Sequence, residues 1–229
     1  MVDQDLSDWT VCELPQKRVL HGRLVRLEPL SANAHGDELF LACVRDDAAE
    51  RFRYLPEYPP QNREDFQPWL EMAQNSSDPL YFAVVDQKTG QTEGRQTLMR
   101  HDPKNGVIEI GHIYWGSRIS QTPATTEALF LFAQYIFDEL GYRRFEWKCN
   151  NANEPSKRAA LRFGFSPEGV FRQAAVTKGK NRDTAWFSLL DCEWKTVKLA
   201  FQSWLDPANF GPDGQQKTKL GEFMGCNHG

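Results

Sequence analysis

The chain has 229 residues, with 27 Lys and Arg against 31 Asp and Glu, a net charge of −4 and a pI of about 5.8, which excludes the basic footprint of a nucleic-acid binder. Hydrophobic residues make up 40% and aromatic residues 12%, enough for a sizeable core in one large domain or two small ones. Cys12, Cys43, Cys149, Cys192 and Cys226 are odd in number and scattered, with no CxxC pair; neither a disulfide framework nor a zinc site is suggested, and they read as reduced thiols in the cytoplasm.

The first residues, Met1-Val2-Asp3-Gln4-Asp5, are acidic and lack the apolar centre of a signal peptide. Residues 1–19 are polar with scattered apolar positions and read as an arm. A short strand is expected at 23–28, ending at Pro29. Ser31 is an N-cap for a helix through Leu39, Phe40 and Val44. A proline-broken loop covers 54–60, and Asn62 caps a helix carrying Phe66, Trp69, Leu70 and Ala73 at helical spacing.

Strands follow at 81–86 and 92–100. Asp102-Pro103-Lys104-Asn105-Gly106 is a hairpin turn, its Asn-Gly suited to positive φ. The stretch from Val107 to Phe165 is the most informative. It reads as a strand Val107–Trp115, a turn-rich segment 116–123, a helix 125–140 stopped by Gly141, a strand Arg144–Asn150, and a helix opening at Asn153-Glu154-Pro155-Ser156. The apolar run at 128–137 contains Gln134 and is too short to span a bilayer, so a soluble protein is expected. Residues 165–173 and 184–190 read as a closing antiparallel pair, with Trp147 and Trp186 expected in the core. An amphipathic helix covers 194–205, and 211–229 is polar and glycine-rich with disorder expected at its end. This order implies an α/β (α+β) fold around one mixed sheet, with an arm at 1–19, a domain at 20–191 and a C-terminal helix and tail at 192–229.

A loop between a strand end and a helix start presents unpaired backbone N–H groups, so the segment before 125 can hold a phosphorylated ligand without basic side chains. Thr126-Glu127-Ala128, Asn153-Glu154-Pro155-Ser156, Arg162-Phe163-Gly164-Phe165 and Glu168-Gly169, in this order and spacing, resemble the GNAT acyl-CoA N-acetyltransferases, in particular the RimJ/RimL branch. The resemblance implies a mostly antiparallel twisted sheet whose central strands splay, flanked by helices. It implies acetyl-CoA held between the strands ending at Trp115 and Asn150, with the pantetheine arm pairing like an added strand. A backbone N–H near Ile113, Tyr114 and Trp115 would then hold the thioester carbonyl. The pyrophosphate loop would fall on Ser120, Gln121, Thr122, Pro123, Ala124, Thr125 and Thr126, where Pro123 stands in place of a glycine and gives up one N–H. Gln121 and the hydroxyls of Thr122, Thr125 and Thr126 are the replacement donors, and Arg118 is either a phosphate ligand or a surface arginine.

Asn153 would cap its helix and bond the pantetheine amide. Ser156 would face the sulfur and donate a proton to the leaving thiolate. The attacking amine needs a base. Glu109, costly to bury in an apolar strand, is the first choice and His112 the second. Their odd separation predicts opposite faces of the strand. Gly111 fits a bulge or the close approach of another backbone, or else is a core glycine beneath a bulky side chain. The resemblance thus implies acetyl transfer to a primary amine, a protein N-terminus or a small molecule, by direct attack. The alternative is a non-catalytic acyl-CoA-binding module. The expected partners are an amine acceptor and, as an open option, a second copy in a homodimer; nucleic acid, membrane and metal are not expected.

Overall fold

A computed structural model describes residues 5–225. Eight strands form one sheet in the order β1-β2-β3-β4-β5-β6-β8-β7. They are β1 (Leu20–His21), β2 (Val25–Pro29), β3 (Leu80–Asp86), β4 (Thr92–Asp102), β5 (Val107–Trp115), β6 (Arg144–Asn150), β7 (Ser166–Thr177) and β8 (Lys180–Leu190). All neighbours run antiparallel except β5 and β6, whose parallel pairing needs the crossover helix between them. The single mixed sheet matches what the order of segments implies, and its mostly antiparallel pairing matches what the family resemblance implies.

The helices are α1 (Ala32–Cys43), α2 (Ala48–Arg51), α3 (Arg63–Asn75), α4 (Pro123–Gln134), α5 (Glu154–Arg162), α6 (Asp191–Leu205) and α7 (Leu220–Phe223). Ser31, Asn62 and Asn153 cap α1, α3 and α5 as their side chains predict, each accepting a backbone N–H. α4 runs into one π-helical turn, Tyr135–Glu139, and the segment stops at Gly141 with φ +70°. The sheet has a helix layer on each face. α4, α5 and α6 cover the larger core, where Phe132, Phe145, Phe163, Phe201 and Trp194 meet. α1 and α3 cover part of the other face over Tyr81 and Tyr114. β3 is sandwiched between both layers, which is why Leu80-Tyr81-Phe82-Ala83-Val84-Val85 is buried without alternation.

Two expectations change. The closing hairpin is longer than predicted, because β7 and β8 stay paired out to Thr177 and Lys180. Trp186 is not in the large core. Ala185 and Phe187 point there, so Trp186 takes the opposite face, tilted against Phe171 with the Lys148 ammonium 3.7 Å from its ring centre. The tail packs as far as residue 225: Leu220 is buried in the large core and Phe210 bridges Gln216. The expected disordered end falls on 226–229, outside the described residues.

Glu127 ties α4 to the sheet. Its buried carboxylate accepts the backbone N–H groups of Arg23 (3.0 Å), Leu24 (2.6 Å) and Val25 (2.8 Å). Three charge-assisted bonds offset the desolvation of the anion. The close fit explains Gly22, where a Cβ would lie 2.4 Å from the Glu127 carboxylate. Glu127→Ala should lower unfolding free energy by about 3 kcal/mol, because it strands buried donors; a urea titration with an unchanged midpoint would refute this role.

Candidate active site in the parted strands

β5 and β6 pair only from Val107↔Arg144 to Ile110↔Trp147. Beyond that point β5 stays with β4 as far as Gly94↔Trp115, and β6 stays with β8 as far as Asn150↔Thr184. Each strand follows its outer neighbour, and a gap opens between them. The cause lies in β5. Arg95 pairs with Tyr114 and Thr97 with Gly111, so His112 and Ile113 together oppose Gln96. This is a β-bulge, and His112 carries it at φ +46°. A non-glycine residue in that region is strained and needs its surroundings to hold it.

The surroundings do so with side chains. Thr97 Oγ1 donates to the Gly111 carbonyl (2.9 Å), Arg95 Nη1 to the His112 carbonyl (2.7 Å) and Arg51 Nη1 to the Trp115 carbonyl (2.8 Å). Gln96, fully buried, donates to the Ala128 carbonyl (2.9 Å) and accepts from the Trp115 indole (3.1 Å), which locks α4 against the bulge. Gly111 is not the bulge residue. It is there for space, since a Cβ would lie 2.3 Å from Met99 Sδ.

The bulge also overturns the expectation that Glu109 and His112 face opposite sides. Ile108 and Ile110 reach the large core before it, and Ile113 and Trp115 pack there after it. The extra residue shifts the alternation, so Glu109, His112 and Tyr114 all take the other face. They are not brought together there. Glu109 lies on the paired part of β5, opposite Glu146, and is bonded to Lys148 (2.8 Å) and Arg100 (3.2 Å). Burial raises its proton affinity, and Lys148 opposes that. The same ammonium binds Glu146 (2.7 Å), making a buried ionic row below the gap.

His112 stands at the gap. Its ring lies 5.7 Å from that of Tyr81, and its Nδ1 is 3.9 Å from Glu57 Oε1. Nδ1 is buried with no hydrogen-bond partner among the described residues, as is Glu57 Oε2. Burial and the Arg95 charge lower the proton affinity of His112, while Glu57 works against them. Burial acts to raise the Glu57 carboxyl, but Arg95 (2.5 Å away) and His112 hold it below the usual carboxylate range. Glu57, in the loop after α2, escaped sequence reading; a lone glutamate in a proline-rich loop has no local signature.

On the far side of the gap, Asn153 Oδ1 accepts the Ser156 N–H (3.2 Å), and the Trp147 indole donates to Ser156 Oγ (3.0 Å). Ser156 thus keeps its hydroxyl proton to give, in the first turn of α5. Cys149, buried beside it, has its thiol pushed up by desolvation, and Cys43 is pushed up to about 12. Neither is poised as a thiolate nucleophile.

At the start of α4, Thr122 is the N-cap: its Oγ1 accepts the Ala124 N–H (3.3 Å) and donates to the Ile119 carbonyl (2.6 Å). Thr125 donates to the Thr122 carbonyl (3.1 Å), and Thr126 accepts from Arg162 (3.0 Å). These hydroxyls, expected to face a ligand, are engaged inside the protein. Gln121, at φ +60°, sharpens the turn into the helix, and Ser120 bonds back to Gly116 through its N–H. Arg118 binds Gln91 and Glu93, as a surface arginine does.

The remaining motif residues have structural tasks. Phe163 and Phe165 are core, Gly164 ends α5 at φ +87°, and Glu168 pairs with Arg144. Among the described residues no cluster of His, Cys, Asp and Glu could hold a metal ion, and no helix is long and apolar enough to cross a membrane.

Residues 25–166 match the family described as "Acetyltransferase (GNAT) domain". The chain is similar to a crystal structure of a GCN5-related N-acetyltransferase from Brucella melitensis, at 59% identity and TM-score 0.95, over 96% of this chain and 100% of that one. It is 29% identical over 117 residues to the uncharacterized N-acetyltransferase p20 of Bacillus licheniformis, covering 49% of this chain and 63% of p20. It is 31% identical over 110 residues to a Bacillus subtilis protein provisionally named a ribosomal N-acetyltransferase, YdaF, covering 48% of this chain and 59% of YdaF. These alignments span about three-fifths of the two curated relatives. The family match covers most of the chain, including every strand from β2 to β6, and the chain belongs to the GNAT acetyltransferase family.

Proposed function

We propose that the chain transfers an acetyl group from acetyl-CoA to a primary amine by direct attack. The observation that carries this is the gap beyond Ile110 and Trp147, flanked by the first turns of α4 and α5. The residues present fit the donor. The freed edges of β5 and β6 suit an amide-bearing arm, and the first turn of α4 suits phosphate through backbone N–H groups. Acetyl-CoA supplies the acetyl group as a thioester. Ile113, Tyr114 and Trp115 line the β5 side of the gap, and Asn153 and Ser156 line the β6 side. Segment 120–126 forms the mouth.

The protein's own groups then divide the proton work. An ammonium acceptor is drawn toward Glu57, which Arg95 keeps ionised. His112, kept neutral by burial and Arg95, takes the amine proton, with Glu57 behind it. Ser156 gives its hydroxyl proton to the departing sulfur, helped by the positive end of α5. Glu109, held between Lys148 and Arg100, serves the sheet instead.

Two features favour a second reading, an acyl-CoA-binding module without turnover: Pro123 lacks an N–H, and the hydroxyls at Thr122 and Thr125 are engaged. A thiol-release assay with acetyl-CoA and a broad amine panel separates the two. Amine-dependent release supports the enzyme; tight binding without release supports the module.

Ser156→Ala should lower kcat on the order of 10²-fold with acetyl-CoA binding little changed; equal turnover would remove the acid role. For the base the sign is fixed by Glu57. Its negative charge favours protonated His112, so Glu57→Gln should move the acidic limb of the pH–rate profile to lower pH. A limb that stays put, or moves the other way, argues against the pair. Glu109→Gln should leave that limb in place and show its effect in the unfolding midpoint.

A further inference from the structure

Arg182 lies near the start of β8, beyond the last β6–β8 pair at Asn150↔Thr184. Ala185, Phe187 and Leu189 point into the large core, so Arg182, Thr184 and Trp186 point to the opposite face, which also carries His112 and Tyr81. Arg182 therefore stands at the open end of the gap, on the side from which an acceptor approaches.

Its guanidinium makes no hydrogen bond or ion pair among the described residues, although its Nε is buried. Arg182 as a whole is half-buried. Trp186 Nε1, on the same face, is also buried without a partner. Across the gap, Glu57 Oε2 and His112 Nδ1 are unsatisfied in the same way. Arg182 is close enough to act electrostatically on His112. Unpaired donors and unpaired acceptors thus face a common space from its two sides.

That space is spanned by two struts. Tyr54 Oη donates to the Ala152 carbonyl (2.9 Å), and Lys178 Nζ donates to the Phe52 carbonyl (2.7 Å) while lying 4.4 Å from the Tyr58 ring. They join the loop after α2 to the β6–α5 loop and to the β7–β8 turn. An acceptor must fit beneath them, which favours a small molecule.

We propose that Arg182 is a specificity-determining residue that binds a carboxylate of the acceptor, so that the chain acetylates small amines bearing a carboxylate close to the nitrogen, α-amino acids first among them. The inference rests on the acetyl-transfer reading above. The ammonium meets Glu57 and His112, and the carboxylate meets the guanidinium, which offers a planar fork of donors. A primary carboxamide offers that guanidinium no anion to pair with, so it binds less well than the acid.

The test is thiol release from acetyl-CoA with the L-amino acids, their primary carboxamides, simple alkylamines and short peptides. At least one amino acid should exceed its own carboxamide by about 10-fold or more in kcat/KM. Arg182→Gln should cut that acid-to-amide ratio about 10- to 100-fold, with Arg182→Lys restoring part of it and both variants matching the parent Tm. The loss should appear in the acceptor KM. Carboxamides or peptides turned over as well as acids, a ratio unchanged in Arg182→Gln, or a loss confined to the acetyl-CoA KM would overturn the carboxylate site and leave acetyl transfer standing. No thiol release with any amine would overturn both.

Discussion

The site depends on one constraint: β5 cannot follow β4 and β6 at once. Opposing His112 and Ile113 to the single residue Gln96 turns the end of β5 with β4 and away from β6. The strain of a histidine at φ +46° is held by hydrogen bonds from Thr97, Arg95 and Arg51 to carbonyls of β5. Gln96, the residue with two opposite it, is buried and bonds to both α4 and Trp115. Shape and chemistry share a cause here. The bulge that parts the strands also sets His112 beside Glu57 and Tyr81.

Charge is distributed around the gap by task. Below it, Lys148 binds both Glu109 and Glu146, and Arg144 extends the row from Glu146 to Glu168. Satisfied buried ions of this kind fix a sheet without being available for chemistry. At the gap the buried polar atoms of Glu57, His112, Arg182 and Trp186 are left without partners. Buried polar groups are normally paired, so a concentration of unpaired ones marks a place shaped for something else. The contrast between the two regions separates Glu109 from His112 more clearly than their intrinsic proton affinities do.

The start of α4 departs from what its threonines promised. Thr122 and Thr125 stiffen the turn by bonding within it, and Thr126 receives Arg162, whose guanidinium also lies 4.8 Å from the Trp204 ring. In the proposed acetyl-transfer reading, the task of meeting phosphate falls on backbone N–H groups, one fewer because of Pro123. α4 is pinned by Glu127 to three N–H groups before and within β2, and by Gln96 through the Ala128 carbonyl. A helix fixed at both points holds its first turn in one place relative to β5, as a binding mouth requires.

Local rules settled much from sequence alone. Ser31, Asn62 and Asn153 cap helices because short polar side chains satisfy N–H groups a few residues on. Asn105-Gly106 turns because glycine accepts positive φ, and β5 and β6 end where their apolar patterns end. The order of the motifs carried the family, and with it the parting of β5 and β6. Sequence could not foresee that one extra residue in β5 would reverse the alternation and put Glu109 and His112 on one face. Nor could it show that Glu57 and Arg182, 125 positions apart by number, would both act electrostatically on His112. The physical reason is common to both. Capping and turn formation are decided within a few residues, whereas strand register and the meeting of distant side chains are decided by which partner each segment packs against.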